Sequence, residues 1–257
     1  MYGRKGRMDR NLAVVVMAAG KGTRMNNPTM AKVMYDVNGR PMVEWVVDLA
    51  GSCNASRIVV IVGWQKESVI ERLRTSAPAV VCVEQNPQLG TGHAVMQTEG
   101  PLKGFAGDVL VLSGDVPMLS LATTRGLIDA HRASGAAATV LTAVLDDAAG
   151  YGRILRDGTG RVTAIVEHKD ATDEQRGIRE INSGIYVFHA DKLFDGLRHI
   201  SPDNRQKEYY LTDVFRYFWQ NNFPVAAVVA DDSVEIGGIN TPEQLEEARR
   251  VLAGRGS

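Results

Sequence analysis

LAVVVMAAGKGTRM runs from Leu12 to Met25, and its reading decides the fold. Leu12 to Val16 form an unbroken apolar run rich in valine, the pattern of a strand buried on both faces. From Met17 onward small residues and glycines take over, and Lys21 and Arg24 stand among them. Such a loop can be a tight strand-to-helix turn. It can also be a bed in which bare backbone N–H groups meet phosphates. Neither the GxGxxG dinucleotide fingerprint nor the GxxxxGKS/T phosphate loop fits it. Arg24 and the later Lys32 favour the phosphate reading, because guanidinium and ammonium groups match polyphosphate charge.

Working outward, RIVVIVG (Arg57 to Gly63), AVVCVE (Ala79 to Glu84) and DVLVLSGD (Asp108 to Asp115) read as further buried strands. Between them PMVEWVVDLA (Pro41 to Ala50), with proline in its first turn, and QKESVIERLR (Gln65 to Arg74) read as helices. Strand alternating with helix predicts βαβ units and a mostly parallel, Rossmann-like mixed sheet flanked by helices, an α/β fold. After about residue 136 the texture changes. AATVLTAVL, GRILRD, GRVTAIVEH and INSGIYVF are strands separated by short turns such as DGTG (Asp157 to Gly160), which predicts a β-rich lobe. Helices return with EYYLTDVFRYFWQNN and with TPEQLEEARRVL, the latter capped by Thr241. The expected layout is a flexible basic tail over 1–10 and one domain over 11–253, with its last helix over 241–253.

Composition excludes several classes. The 257 residues are 44% hydrophobic and 23% charged, which suffices for a sizeable core. A formal net charge of -1 gives no global pull toward nucleic acid or membranes. No apolar run has the length of a membrane helix, and MYGRKGRMDR lacks the apolar segment of a secretory signal. Cys53 and Cys82 have no paired spacing; Cys82, in AVVCV, reads as a core residue, and a reducing cytoplasm is expected.

Polar and glycine clusters gather at the ends of the apolar runs, where binding residues collect. Asp115 in LSGDVP follows a strand, where an aspartate can hold magnesium against phosphate oxygens or simply cap a turn. QNPQLGTGHAVMQ (Gln85 to Gln97) offers Gln85 to a base edge, and its Gly-Thr-Gly opens a helix. His93, His168 and His189 read as packing residues rather than catalysts, and no His/Cys cluster has zinc spacing. GYGR, VEHKD, EINSG, EYYLTD and GGIN are each weak alone.

Together and in order, AAGKGTRM, QLGTGHA, GDVP, GYGRI, VEHKDATDEQR, EINSG, EYYLTD and the late GxN resemble the bacterial N-acetylglucosamine-1-phosphate uridyltransferase family, from about Leu12 to Leu252. The resemblance implies a nucleotide-diphospho-sugar transferase-like fold, with a nucleotide-binding part over about 11–135 and a sugar-binding part over about 136–240. It implies a triphosphate on Ala18, Ala19, Gly20, Lys21, Gly22 and Thr23, and catalytic roles for Arg24 and Lys32. Gln85 and Gly90 would read the uracil, and Thr91, Gly152, Glu167, Asn182 and Glu208 would hold the sugar. Asp115 and Asn240 would bind Mg. The implied reaction is uridylyl transfer from UTP to N-acetylglucosamine-1-phosphate, in the cytoplasm, with no nucleic-acid or membrane partner and the oligomeric state open. Another sugar-1-phosphate, dTTP in place of UTP, or a non-catalytic nucleotide-sugar-binding role stay open as alternatives. Ser113 stands where many relatives have Tyr, Ala31 where many have Pro, and Gly238 where many have Glu. Bifunctional members add a left-handed β-helix acetyltransferase; no hexapeptide repeat is present here, so no acetyl transfer is expected.

Overall fold

Residues Leu12–Ala18 form the first strand, β1, and every side chain except that of Met17 is buried. This computed structural model describes residues 11–25, 27 and 29–255; the stretch expected to be a basic tail, 1–10, lies outside them. In chain order there follow a two-residue pair, β2 (Asp36–Val37) and β3 (Arg40–Pro41), then β4 (Arg57–Val62), β5 (Val81–Glu84), β6 (Asp108–Ser113) and β7 (Ala138–Val144). The later strands are β8 (Arg153–Arg156), β9 (Val162–Val166), β10 (Glu180–His189) and β11 (Val225–Val229). The helices are α1 (Met42–Ser52), α2 (Lys66–Ser76), α3 (Thr91–Met96), α4 (Leu121–Ser134), α5 (Asp173–Arg176), α6 (Ala190–Leu197), α7 (Asp213–Gln220) and α8 (Pro242–Arg255). No helix among the described residues is long and apolar enough to cross a membrane.

The main sheet has the order β11-β7-β10-β6-β1-β4-β5, and β8 and β9 extend it beside β10. β1 pairs in parallel with β4 and β6, placing Val15 between Val59 and Val111. Side chains alternate faces along a strand. Val14, Val16, Leu110 and Leu112 therefore pack with α1, α2 and α4, while Val15, Val109 and Val111 pack with α3, α6 and α7. Burial on both faces is why these strands read as continuous apolar runs.

β10 is the reversed strand. It runs antiparallel to β6 on one side and to β7 on the other, so one sheet passes through residues 11–135 and 136–240 alike. Its register shifts between Asn182 and Tyr186, around Gly184 at φ 80°. A left-handed residue without a side chain lets the strand bulge here.

Several expectations are corrected. The helix read over EYYLTDVFRYFWQNN begins only at Asp213, because Tyr209 and Leu211 spend their backbone groups on the 89–92 segment. Tyr209 N donates to Leu89 O (2.8 Å), Gly92 N to Tyr209 O (2.7 Å), and Leu211 N to Thr91 Oγ1 (3.0 Å). The strand read from Ala79 starts at Val81 and lies at the sheet edge, so Cys82 is half-buried rather than in the core. The last helix reaches Arg255 rather than 253. α4, α6 and β11 had no place in the sequence reading. α4 nonetheless carries both terminal signals: Ser120 caps its start by accepting from Thr123 N (3.1 Å), and Gly135 ends it at φ 63°.

Candidate active site

The carboxyl ends of β1, β4, β5 and β6 open onto a cleft of about 990 Å³. In open α/β sheets this is the edge where ligands bind. Ala18, Ala19, Gly20 and Lys21 form one wall. Gln85, Gly90 and Thr91 form another, and Lys32 and Asp115 close one end.

Four of the expected residues meet at that end. β6 stops at Ser113, and Gly114 turns the chain by donating its N–H to Met17 O (2.9 Å). A Cβ on Gly114 would stand 3.1 Å from that same oxygen, so any larger residue would push the strand end a few tenths of an ångström from β1. Asp115 follows at the turn, and its carbonyl accepts from Ile239 N (2.9 Å), which draws in the segment carrying Asn240. Lys32, in a short 3₁₀ turn over Lys32–Met34, reaches the same point. Its ammonium pairs with Asp115 Oδ2 and donates to Asn240 Oδ1 (2.7 Å). Arg24 Nη2 donates to that same Asn240 oxygen (2.7 Å). Residues 24, 32, 115 and 240 thus form one hydrogen-bonded group of two cations, one carboxylate and one amide.

Gly22 explains the bareness of the opening loop at one position. Its φ is 60°, and a Cβ there would lie 2.6 Å from Lys32 Cβ. The lysine side chain passes over the loop through the space this glycine leaves. Thr23 sits in the 3₁₀ turn Thr23–Met25 with Arg24. Lys21 is exposed, with Nζ 5.0 Å from the centre of the Trp64 ring. It stands apart from the Lys32 group.

At the other end of the cleft Gln85 is 5% exposed, and its Nε2 donates to Gly90 O (2.8 Å). His93 lies 3.3 Å from the same nitrogen, consistent with a packing residue. Gly90 has φ 102°, and a Cβ on it would meet Tyr209 O at 2.7 Å. Thr91 and Glu208 also line the cleft.

The remaining expected sugar residues are not among those that line this cleft. Asn182, mostly buried, donates Nδ2 to the Tyr186 hydroxyl (2.8 Å) and accepts from Gly184 N (3.1 Å). Gly152 accepts from Asn182 N (2.9 Å), so these two are adjacent. Glu167 accepts from Thr212 Oγ1 (3.0 Å) and faces a neighbouring pocket of about 260 Å³ with Asp170, Tyr210 and Asp213. Burial pushes its carboxyl above the ordinary range; the Thr212 hydroxyl opposes this, and Asp213, Asp170 and Glu208 add to it.

A carboxyl raised on folding favours the folded state most below its unfolded value and loses that advantage as pH rises through its folded one. Glu167→Gln is therefore expected to gain stability relative to the parent as pH rises from 4 to 7. Denaturant unfolding across that range checks it; a difference that stays flat or falls contradicts it.

Sequence reasoning passed over four residues here. Gln88 donates to Ala19 O, Trp64 N donates to the same oxygen (3.2 Å), and a Cβ on Gly63 would lie 2.6 Å from Gln88 Nε2. Together they stitch the 85–90 loop to the opening loop. Tyr151, within GYGR, stands beside the four-residue group: burial and the Asp115 carboxylate push its phenol up, and Arg24 draws it down. Gly63 ends an apolar run, and Gln88 and Tyr151 lie in quoted motifs, but nothing in the sequence marked these contacts.

An α/β fold of this topology, with two cations, a carboxylate and an amide gathered at the strand ends, has the makings of a phosphate-binding site. The family model for the MobA-like NTP transferase domain matches residues 14–209, and the chain belongs to that family. The Bifunctional protein GlmU of Geobacter metallireducens is 48% identical over 95% of this chain and 51% of its own length. That of Streptomyces avermitilis is 49% identical over 96% and 51%. The chain thus spans about half the length of the curated relatives it matches. A crystal structure of UDP-glucose pyrophosphorylase complexed with UDP-glucose superposes with a TM-score of 0.77 at 17% identity, covering 95% of this chain and 99% of that one. That likeness is one of fold.

Proposed function

We propose that this chain transfers a uridylyl group from UTP to N-acetylglucosamine-1-phosphate, releasing pyrophosphate and giving UDP-N-acetylglucosamine. The observation that carries the reading is the meeting of Arg24, Lys32, Asp115 and Asn240 at one end of a cleft whose other end holds Gln85 and Gly90. Identities of 45–49% to GlmU proteins over nearly the whole chain support it.

In this reading a phosphate oxygen of the sugar-1-phosphate attacks the α-phosphorus of UTP, and the bond to the β-phosphate breaks. The attacking group has a second pKa of about 6 and is ionised at pH 7, so no general base is required. The difficulty is that two anions must meet. Lys32 sets a point charge at the reacting phosphates, and the planar donors of Arg24 suit the departing pyrophosphate. The backbone of Ala19 and Gly20 lets phosphates approach closely. Gln85, its nitrogen held by Gly90 O, keeps its amide in a fixed orientation for the uracil.

Magnesium fits the residues present. Asp115 Oδ2 and Asn240 Oδ1 both reach the Lys32 ammonium, so two hard oxygen donors already converge on one cationic position. These two residues would hold the ion, which supplies charge neutralisation to the phosphate oxygens. The reaction belongs in the cytoplasm, where UTP is made and used.

The test is a panel. Pyrophosphate release is measured with UTP or dTTP against N-acetylglucosamine-1-phosphate, glucose-1-phosphate and glucosamine-1-phosphate, with magnesium. UTP with N-acetylglucosamine-1-phosphate is expected to give the highest kcat/KM, by at least about tenfold. A different pair on top overturns the substrate assignment; nucleotide binding without turnover on any pair overturns the enzyme.

A further inference from the structure

We propose that Asp108, His131 and His189 form a binding site for a borderline transition-metal ion of the zinc class. It lies at the end of the sheet opposite the cleft and does not depend on the uridylyl-transfer reading. The pairing register builds two of its corners, since β10 runs antiparallel to β6 with His189 directly across from Asp108. Helix α4 supplies the third, packing against β7 and β10 with His131 facing inward. The three ligand atoms lie within 4.8 Å of one another. His189 Nδ1 is 3.4 Å and His131 Nε2 3.7 Å from Asp108 Oδ1. Nitrogen and oxygen ligands on zinc sit about 2.0–2.2 Å from the ion, which sets them roughly 3.3–3.6 Å apart around a tetrahedron. The separations here are close to that spacing and longer than the usual N–H···O hydrogen bond.

The surroundings fit ligands rather than a simple ion pair. His131 Nδ1 lies 2.9 Å from Thr139 Oγ1, and both residues are fully buried. In the tautomer that carries its proton on Nδ1, shared with that hydroxyl, Nε2 presents a lone pair on the side of Asp108, as a metal-ligating imidazole requires. Asp108 is itself fully buried and accepts from Arg132 Nε (2.9 Å) at Oδ2, which orients its other oxygen toward the two rings. His189 is fixed through its backbone, with its N–H on Ala137 O (3.0 Å) and the following N–H on Gly107 O (3.0 Å). Its ring lines a recess of about 340 Å³ together with Phe105, Gly107 and Asp191. That recess gives an ion a route in at His189, where water can serve as a fourth ligand. Two imidazoles with one carboxylate select zinc, cobalt or nickel over magnesium. The distance from this cluster to the carboxyl end of β6 is roughly 16 Å, five strand residues away, so the bound ion would tie β6, β10 and α4 together rather than touch substrate.

The experiment uses the untagged full chain stripped with chelator and titrated with Co(II) or Zn(II). One Co(II) per chain is expected, with the intense visible bands of a tetrahedral site, and one equivalent of Zn(II) is expected to raise the thermal midpoint where Mg(II) does not. His189→Gln, at a partly exposed position, should keep the fold, remove the bands and weaken binding at least about 100-fold. Thr139→Val should weaken it about 10–100-fold through the imidazole it orients. Absence of stoichiometric binding overturns the site, as do bands that persist unchanged in His189→Gln.

Discussion

Asp115→Ala is expected to lower kcat for pyrophosphate release by at least about 10³-fold, or roughly 4 kcal/mol of transition-state stabilisation, while the protein stays folded. Asp115 is the sole carboxylate of its hydrogen-bonded group. Removing it takes away one of two oxygen donors for magnesium and releases the Lys32 ammonium from its anchor. Both losses fall on the reacting phosphates. The effect on stability is small, because the side chain is partly exposed and the turn is held by backbone bonds from Gly114 and Ile239. Asp115→Asn separates the causes, since it keeps an oxygen and loses the charge; about 10²-fold is expected. Steady-state kinetics with circular dichroism as a folding control check both variants. Full activity in Asp115→Ala would remove this residue from the chemistry.

The second large effect comes from a single methyl group. Gly22→Ala is expected to lower kcat/KM by about 100-fold, equivalent to roughly 2.7 kcal/mol. Two penalties combine. A left-handed φ costs alanine about 1 kcal/mol. The new Cβ would also lie 2.6 Å from Lys32 Cβ and 2.9 Å from Cγ, at the root of the side chain. Lys32 cannot yield there without drawing its ammonium off Asp115 and Asn240. Gly39→Ala is the control, because Gly39 also has positive φ (85°) but no atom within 4 Å of a built Cβ. It should lose stability alone and keep kcat/KM within about twofold. Equal activity losses in the two variants would assign the effect to backbone strain and not to Lys32.

The central strands were legible because burial on both faces leaves no polar residue in Val14 to Val16 or Val109 to Leu112. α4 was not, because LATTRGLIDAHRAS scatters its apolar positions among Thr, Arg and Gly, and only its caps stand out. The segment Glu208 to Thr212 misled for another reason. Its apolar pattern suits a helix, but its backbone partners come from residues near 90, more than a hundred positions earlier. The site divides in the same way. Arg24, Asp115 and Asn240 were readable because each sits in a motif whose order matches one family, and Lys32 because the same resemblance implies a cation there. The contacts of Gln88 and Trp64 were not, since both act on Ala19 O across loops distant in sequence. His131 and His189 lie on different elements 58 positions apart, beyond the reach of any ligand-spacing rule.

Strand β10 has one more consequence. It is laddered to β6 from Tyr186–Val111 to His189–Asp108, and to β7 from Phe188–Ala138 to Glu180–Val144. Opening the molecule like a pair of jaws along that line would mean unzipping the middle of the sheet, where Ile181, Val187 and Phe188 are fully buried. The strands that carry the cleft, β1, β4, β5 and β6, are therefore joined through β10 to the strands that carry Asn182 and lead to Glu167, with no seam between them.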